Sequence, residues 1–234
     1  MADPLLETVA LESFYGDFQA LFGIDFAVGR GEVVAVVGAN GAGKTTLMRS
    51  ITGLLQCRPG MVRWQSKDIG GRRPDQIAAM GIAMVPEGRQ LFPSLTVEEN
   101  LLIGGQLRRP GSWTLARIYE LFPVLGERRQ QQSTSLSGGQ QQMAAIGRAL
   151  MSNPELILLD EISLGLAPII IKSIYEALPD VVGGGISAVI VEQDIAKAME
   201  VSDRMYCLSE GHVALTGATG NVTRDEISRA YFGM

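Results

Sequence analysis

The sequence is poorest in histidine and cysteine: one His, His212, and two Cys, Cys57 and Cys207, in 234 residues. A single histidine excludes a His-rich metal centre and a Cys/His zinc cluster. Two cysteines so far apart build no disulfide framework and point to a reducing cytoplasm, with both thiols unreactive. Charge is scarce too, at 19% against a usual share of about 25%. The balance is acidic, Asp+Glu 25 over Lys+Arg 20 for a net −5, and no basic block appears. That argues against a nucleic-acid partner. Mean hydropathy is +0.16, yet no apolar run approaches the roughly 18 residues of a membrane span. The opening MADPLLETVA is acidic and lacks a positive n-region and an apolar h-region, so no signal peptide is expected.

What the sequence holds in excess is glycine, 28 residues, well above the average share of about 7%. No repeat accounts for it, so turns and close backbone approach do. The apolar runs are short, Val33–Val37, Leu156–Leu159 and Ala188–Val191, the length of strands buried on both faces. Residues 5–28 read as short antiparallel strands, 32–38 as a strand, and 45–53 as a helix closed by Gly53. MVRWQ (61–65) reads as an edge strand and GIAMVP (81–86) as a core strand. From Arg89 to about Asn153 only helices are read, at 97–105, 115–122 and 138–151. Strands at 155–161, 186–193 and 204–211 then alternate with helices at 168–178 and 194–200. A hairpin at 210–217 and a helix at 223–232 close the chain. Alternation of this kind predicts an α/β fold with a mostly parallel sheet. An antiparallel β subdomain precedes it, and a helical subdomain of about 89–153 is inserted into a core of about 1–88 and 154–234, all in one domain spanning 1–234.

Gly38-Ala39-Asn40-Gly41-Ala42-Gly43-Lys44-Thr45 matches G-x-x-x-x-G-K-[ST] with a strand before it and a helix after it. Glycines let backbone N–H groups converge on phosphate oxygens, and the helix start adds its positive dipole end. Lys44 offers a point charge to the β/γ phosphates, Thr45 a hydroxyl ligand for Mg²⁺, and Thr46 follows on the same helix turn. Downstream, the apolar strand at 156–159 delivers Asp160 and Glu161 at its C-terminal end. Asp160 is placed to hold the Mg²⁺ shell, and Glu161 to orient or deprotonate an attacking water.

Leu136-Ser137-Gly138-Gly139-Gln140 precedes a helix. Alone it reads either as a capped helix start, with Ser137 the cap, or as a second phosphate contact. Combined with the two motifs above, it makes the chain resemble the ATP-binding cassette (ABC) transporter ATPases over essentially its whole length. The resemblance implies ATP and Mg²⁺ as cofactors and a head-to-tail dimer with a second, identical or homologous, ATPase. Ser137, Gly138, Gly139 and Gln140 of one subunit would then meet the nucleotide on Gly38–Thr45 of the other. It also implies integral membrane permease subunits, a solute-binding protein acting indirectly, and a cytoplasmic place on the inner face of the membrane. Tyr15 falls where that family stacks an aromatic on adenine; a core aromatic of the first strand is the other reading.

VPEGRQLFPSLTVEENL (85–101), YELFPVLGERR (119–129) and SLGLAPIII (163–171) further resemble the LivF-type ATPase subunits of branched-chain amino acid importers. Importers of urea or short amides share parts of these phrases. A DNA-associated ATPase would carry long coiled coils, but only 50 residues separate Glu87 from Ser137, without heptads. Against most ABC ATPases, Glu87 takes the place of a Gln that senses Mg²⁺, partly through water, Gln193 that of a switch histidine by the γ-phosphate, and Ala167 that of an Asp, and the LivF-type subgroup is similar at all three. Ile162 replaces a Pro after Glu161 that is usual in the family and the subgroup alike. Trp64 and Trp113 read as packing residues, RRQQQ (128–132) as a solvated face or a linker to the signature, and Arg89 as either a membrane-subunit contact or a surface charge.

Overall fold

The computed structural model describes residues 3–232; the ends of the 1–234 domain span and of the acidic N-terminal stretch lie outside them. The chain falls into two compact units, one of residues up to 80 together with 187 onward, the other of residues 81–186.

In the first unit, β1 (Leu6–Tyr15) and β2 (Phe18–Val28) form one long antiparallel hairpin. The sequence suggested short strands here because two register shifts before Glu12 and a third after Ser13 break the alternation. β4 (Val62–Trp64) adds to β1 with Leu6 opposite Trp64, and the two-residue β5 (Lys67–Asp68) covers β4. The 61–65 segment is therefore an interior strand rather than an edge. Left-handed Gln65 and Ser66 (φ 49° and 63°) make the tight turn that supplies its outer neighbour.

A second sheet of this unit runs in the order β10 (His212–Ala218), β9 (Arg204–Ser209), β3 (Val33–Val37), β8 (Ser187–Glu192). β3 is parallel to both β8 and β9, and β10 is antiparallel to β9. All residues of β3 and β8 are buried, which explains why these strands read as unbroken apolar runs. The predicted hairpin at 210–217 is the β9–β10 hairpin, turned at Glu210 and Gly211. Under β3 and β9 lies a fully buried cluster of Ala35, Val37, Ala198, Met205, Cys207 and Ile227. Each large side chain in such a cluster contributes about 1.5–3 kcal/mol. Helices α1 (Lys44–Ile51), α2 (Pro74–Ala79), α9 (Ile195–Val201) and α10 (Arg224–Phe232) complete the unit.

In the second unit, β6 (Ile82–Val85) and β7 (Leu156–Asp160) pair in parallel. Between them in sequence come α3 (Val97–Gly104), α4 (Leu115–Leu121), α5 (Pro123–Glu127) and α6 (Gly138–Leu150). The predicted helix at 168–178 is two helices, α7 (Pro168–Glu176) and α8 (Leu178–Gly183), with Ala177 as the cap they share. Pro179 explains the break, because proline suits the first turn of a new helix and cannot continue an old one. No helix among the described residues is long and apolar enough to cross a membrane.

Candidate functional site

Parallel strands direct ligands to their carboxyl ends, and β3 ends at Val37 in the phosphate loop. Gly43 stands at φ 104°, and a Cβ there would lie 2.6 Å from Leu21 Cδ2; only glycine allows the loop to turn into α1 against the hairpin. α1 starts at Lys44 with no side-chain cap. Ala42 N–H donates to Ala39 O at 3.0 Å, and the Lys44 ammonium donates to Gly38 O at 2.8 Å and Ala39 O at 3.1 Å. Gly211 N–H donates to Ala42 O at 3.1 Å, and Phe22 N–H to Gly211 O at 2.9 Å. The loop is thus a closed, braced cradle of backbone, with Asn40 and Gly41 exposed at its rim.

Tyr15 ends β1 and is 42% exposed. Its hydroxyl lies 3.5 Å from Thr46 Oγ1 on α1. Two residues that the sequence did not single out hold it there. Ser13 and Ser50 are essentially fully buried and hydrogen-bonded to each other at 2.7 Å, and Ser50 also donates to Thr46 O at 2.8 Å. No sequence signal marks such a pair, since buried serines resemble surface ones until the fold joins them. On the other side of the loop, Glu192 stands opposite Val37 in register, so Gln193 emerges beside the strand that feeds the loop. Asp194 then caps α9, accepting from Ala196 and Lys197 N–H. Cys207 also faces Val37 in register; burial raises its thiol to about 11 against the pull of the Lys44 charge. It is an inert thiol at neutral pH.

The second unit holds the remaining candidates. β7 is buried throughout, and its last residue, Asp160, is 1% exposed. Glu161 follows, half-buried, with φ 47°. A left-handed glutamate costs about 1–3 kcal/mol and persists where surrounding structure holds it. Ile162 is buried to 1% exposure and anchors the turn, which Leu164 N–H closes on Glu161 O at 3.2 Å.

Ser137 caps α6, its Oγ accepting from Gln140 N–H at 3.3 Å while Gln140 Oε1 accepts from Ser137 N–H at 3.0 Å. The reciprocal cap uses the Gln140 side chain within the chain itself. Gly139 is required for packing: a Cβ there would lie 2.3 Å from Ile170 Cγ2 on α7. Glu87 is exposed in the turn directly after β6 and Pro86. Trp64 and Trp113 are buried, as packing residues should be.

Each unit offers one hard oxygen donor of the kind magnesium takes, the Thr45 hydroxyl in the first and the Asp160 carboxylate in the second. Among the described residues no group of three His, Cys, Asp or Glu gathers as a metal cage.

Residues 21–163 match the family described as ABC transporter. The chain is 43% identical to the high-affinity branched-chain amino acid transport ATP-binding protein BraG of Pseudomonas aeruginosa, over 95% of this chain and 97% of that one. It is 32% identical to a probable branched-chain amino acid transport ATP-binding protein, LivF, of Archaeoglobus fulgidus, over 95% of each. Among solved structures, a nucleotide-free ATP-binding cassette of an ABC transporter superposes with TM-score 0.83 at 29% identity, over 99% of this chain and 96% of that one. The ADP conformation of such a cassette gives 0.82 at 28% identity over the full length of both. With its phosphate loop closing a buried parallel strand and its matches spanning nearly the whole sequence, the chain belongs to the ABC transporter family, as an ATP-binding cassette.

Proposed function

We propose that this chain is the ATP-hydrolysing subunit of a membrane importer for branched-chain amino acids. The observation that carries the nucleotide reading is the Gly38–Thr45 cradle, closed by Lys44 and held beside Tyr15. The solute class rests on the similarity to BraG and LivF.

ATP binds with its phosphates in the cradle and its adenine on Tyr15. Thr45 and Asp160 would hold Mg²⁺, which would neutralise phosphate charge, and Glu87 would assist them, partly through water. A second cassette, identical or homologous, docks head to tail, so that Ser137, Gly138 and Gly139 of each face the nucleotide of the other. Dimer closure drives permease subunits to switch access, from a peripheral position on the inner face of the membrane. Glu161 accepts a proton from the water whose oxygen attacks the γ-phosphorus in line, ADP leaves, and Lys44 stabilises the equatorial charge. Gln193 donates an amide hydrogen bond to the γ-phosphate.

The test is Glu161→Gln. It keeps ATP binding, loses turnover by at least about a hundred-fold, and collects as an ATP-dependent dimer by size exclusion. A variant that stays monomeric and hydrolyses normally removes Glu161 as the base. Reconstitution with cognate membrane subunits should show ATPase stimulated by leucine, isoleucine or valine through the binding protein; stimulation by urea or short amides instead would reassign the solute.

A further inference from the structure

The segment between β6 and α3 has an uncommon backbone. Gly88, Arg89 and Gln90 take φ values of 76°, 66° and 45° in succession. Glycine adopts this region freely, but in Arg89 and Gln90 it presses Cβ toward the following carbonyl oxygen. Two consecutive strained residues persist only where neighbours hold them.

The holder is Arg148, near the C-terminal end of α6. Its Nη1 donates to Gln90 O at 2.8 Å and its Nη2 to Arg89 O at 3.2 Å, so one guanidinium grips the carbonyls of both strained residues. Its Cζ lies 5.6 Å from the centre of the Phe92 ring, and burial lowers its pKa. From the same segment Arg89 reaches the other end of α6. Its Nη1 donates to Gln141 Oε1 at 3.3 Å, and a Cβ on Gly138 would stand 3.1 Å from its Nη2. Gln141 in turn donates to Ser133 O and Leu136 O. Fully buried Asn100 closes the segment, with Oδ1 accepting from Phe92 N–H at 2.8 Å and Nδ2 donating to Phe92 O at 3.1 Å.

We propose that Arg148 and Arg89 latch the Glu87 loop to both ends of the signature helix α6, and that Arg148 is thereby a positioning residue for hydrolysis. Glu87 and Ser137 then move as one body. This rests on the functional reading above, in which Glu87 and Ser137 both serve the nucleotide. The ATP cradle belongs to the first unit, so the latch governs turnover and not ATP affinity.

The full chain is assayed as wild type, Arg148→Lys, Gln90→Gly and the double variant. Lysine keeps the charge but has no planar fork to span two carbonyls. Glycine at 90 takes the left-handed backbone without strain and needs no grip. Arg148→Lys should lower kcat about ten-fold with KM for ATP within about two-fold. Gln90→Gly alone should stay within about two-fold of wild type, and the double variant should recover about three-fold or more over Arg148→Lys. Amide hydrogen exchange of residues 86–92 should quicken in Arg148→Lys and slow again in the double variant. Wild-type kcat in Arg148→Lys, no recovery in the double variant, or a KM change matching the kcat change overturns the proposal. A wild-type chain that hydrolyses no ATP defeats the functional reading instead, and the exchange measurement then decides the latch by itself: unchanged exchange in Arg148→Lys overturns it.

Discussion

The Lys44 ammonium donates a 2.8 Å hydrogen bond to the carbonyl of Gly38, tying the last part of the phosphate loop to its first residue. The same side chain is 5% exposed, so the cation is held ready in the cradle. Lys44→Ala should lower kcat/KM for ATP at least about a hundred-fold, a loss of about 2.7 kcal/mol in transition-state stabilisation. Steady-state ATPase and binding of a fluorescent ATP analogue read it; turnover close to wild type would remove Lys44 from the site.

Tyr15 stands beside Thr46 because the buried Ser13–Ser50 bond joins β1 to α1. Tyr15→Ala should weaken ATP binding about ten-fold, since stacking on a base contributes about 1–3 kcal/mol. Tyr15→Phe should bind nearly as wild type, because the hydroxyl contact is long. Inorganic triphosphate, which has no base, should bind all three proteins alike. Equal ATP affinity in Tyr15→Ala would return Tyr15 to a plain sheet aromatic.

Gln193, not a histidine, follows the strand paired with β3. The one histidine, His212, stacks on Phe22 with ring centroids 5.1 Å apart. ATPase rate against pH should therefore show no inflection near the usual histidine pKa of about 6.5, and His212→Ala should give a superimposable profile. An inflection there that His212→Ala abolishes would contradict this assignment.

Burial pushes the Glu32 carboxyl up, but hydrogen bonds from Arg204 at 2.8 and 2.9 Å and from Gly29 N–H outweigh it, and its pKa is lowered. A lowered carboxylate pKa adds stability that is complete above the unfolded value of about 4.3 and is lost as pH falls through the folded value. Glu32→Gln should cost about 2 kcal/mol at neutral pH and flatten the loss of stability below about pH 4.3. Urea unfolding at several pH values measures it; an unchanged acid limb would count against the pair.

Ile162, in the turn directly after Glu161, fills buried space at 1% exposure. Ile162→Ala should destabilise the chain by about 2–5 kcal/mol, seen as an earlier thermal midpoint. A shift within error would show that the turn after Glu161 does not depend on this packing.

The elements easiest to read were those whose burial leaves a one-dimensional trace. β3, β7 and β8 are buried on every face, so their apolar runs could belong only to core strands. α6 announced itself through Ser137 as its cap; the structure adds Gln140, whose bonds to Ser137 complete a capping box. Harder were β5, two residues long, and α2 and α5, six and five residues long, which have no room for a periodic pattern. The split at Ala177 was hidden because Pro179 sits just beyond a continuous helical stretch.

The sequence by itself determined the phosphate loop, the Asp160–Glu161 strand end and the signature, because each is a local backbone device whose residue types and spacing are its chemistry. Only the tertiary structure decided what surrounds them. It put Ile170 where a Gly139 side chain would be, joined Ser13 to Ser50 to present Tyr15, and set Arg148 on the carbonyls of Arg89 and Gln90. Those contacts join residues far apart in the chain, through groups that carry no motif, and hydrogen-bond geometry and close packing specify them only once the chain has folded.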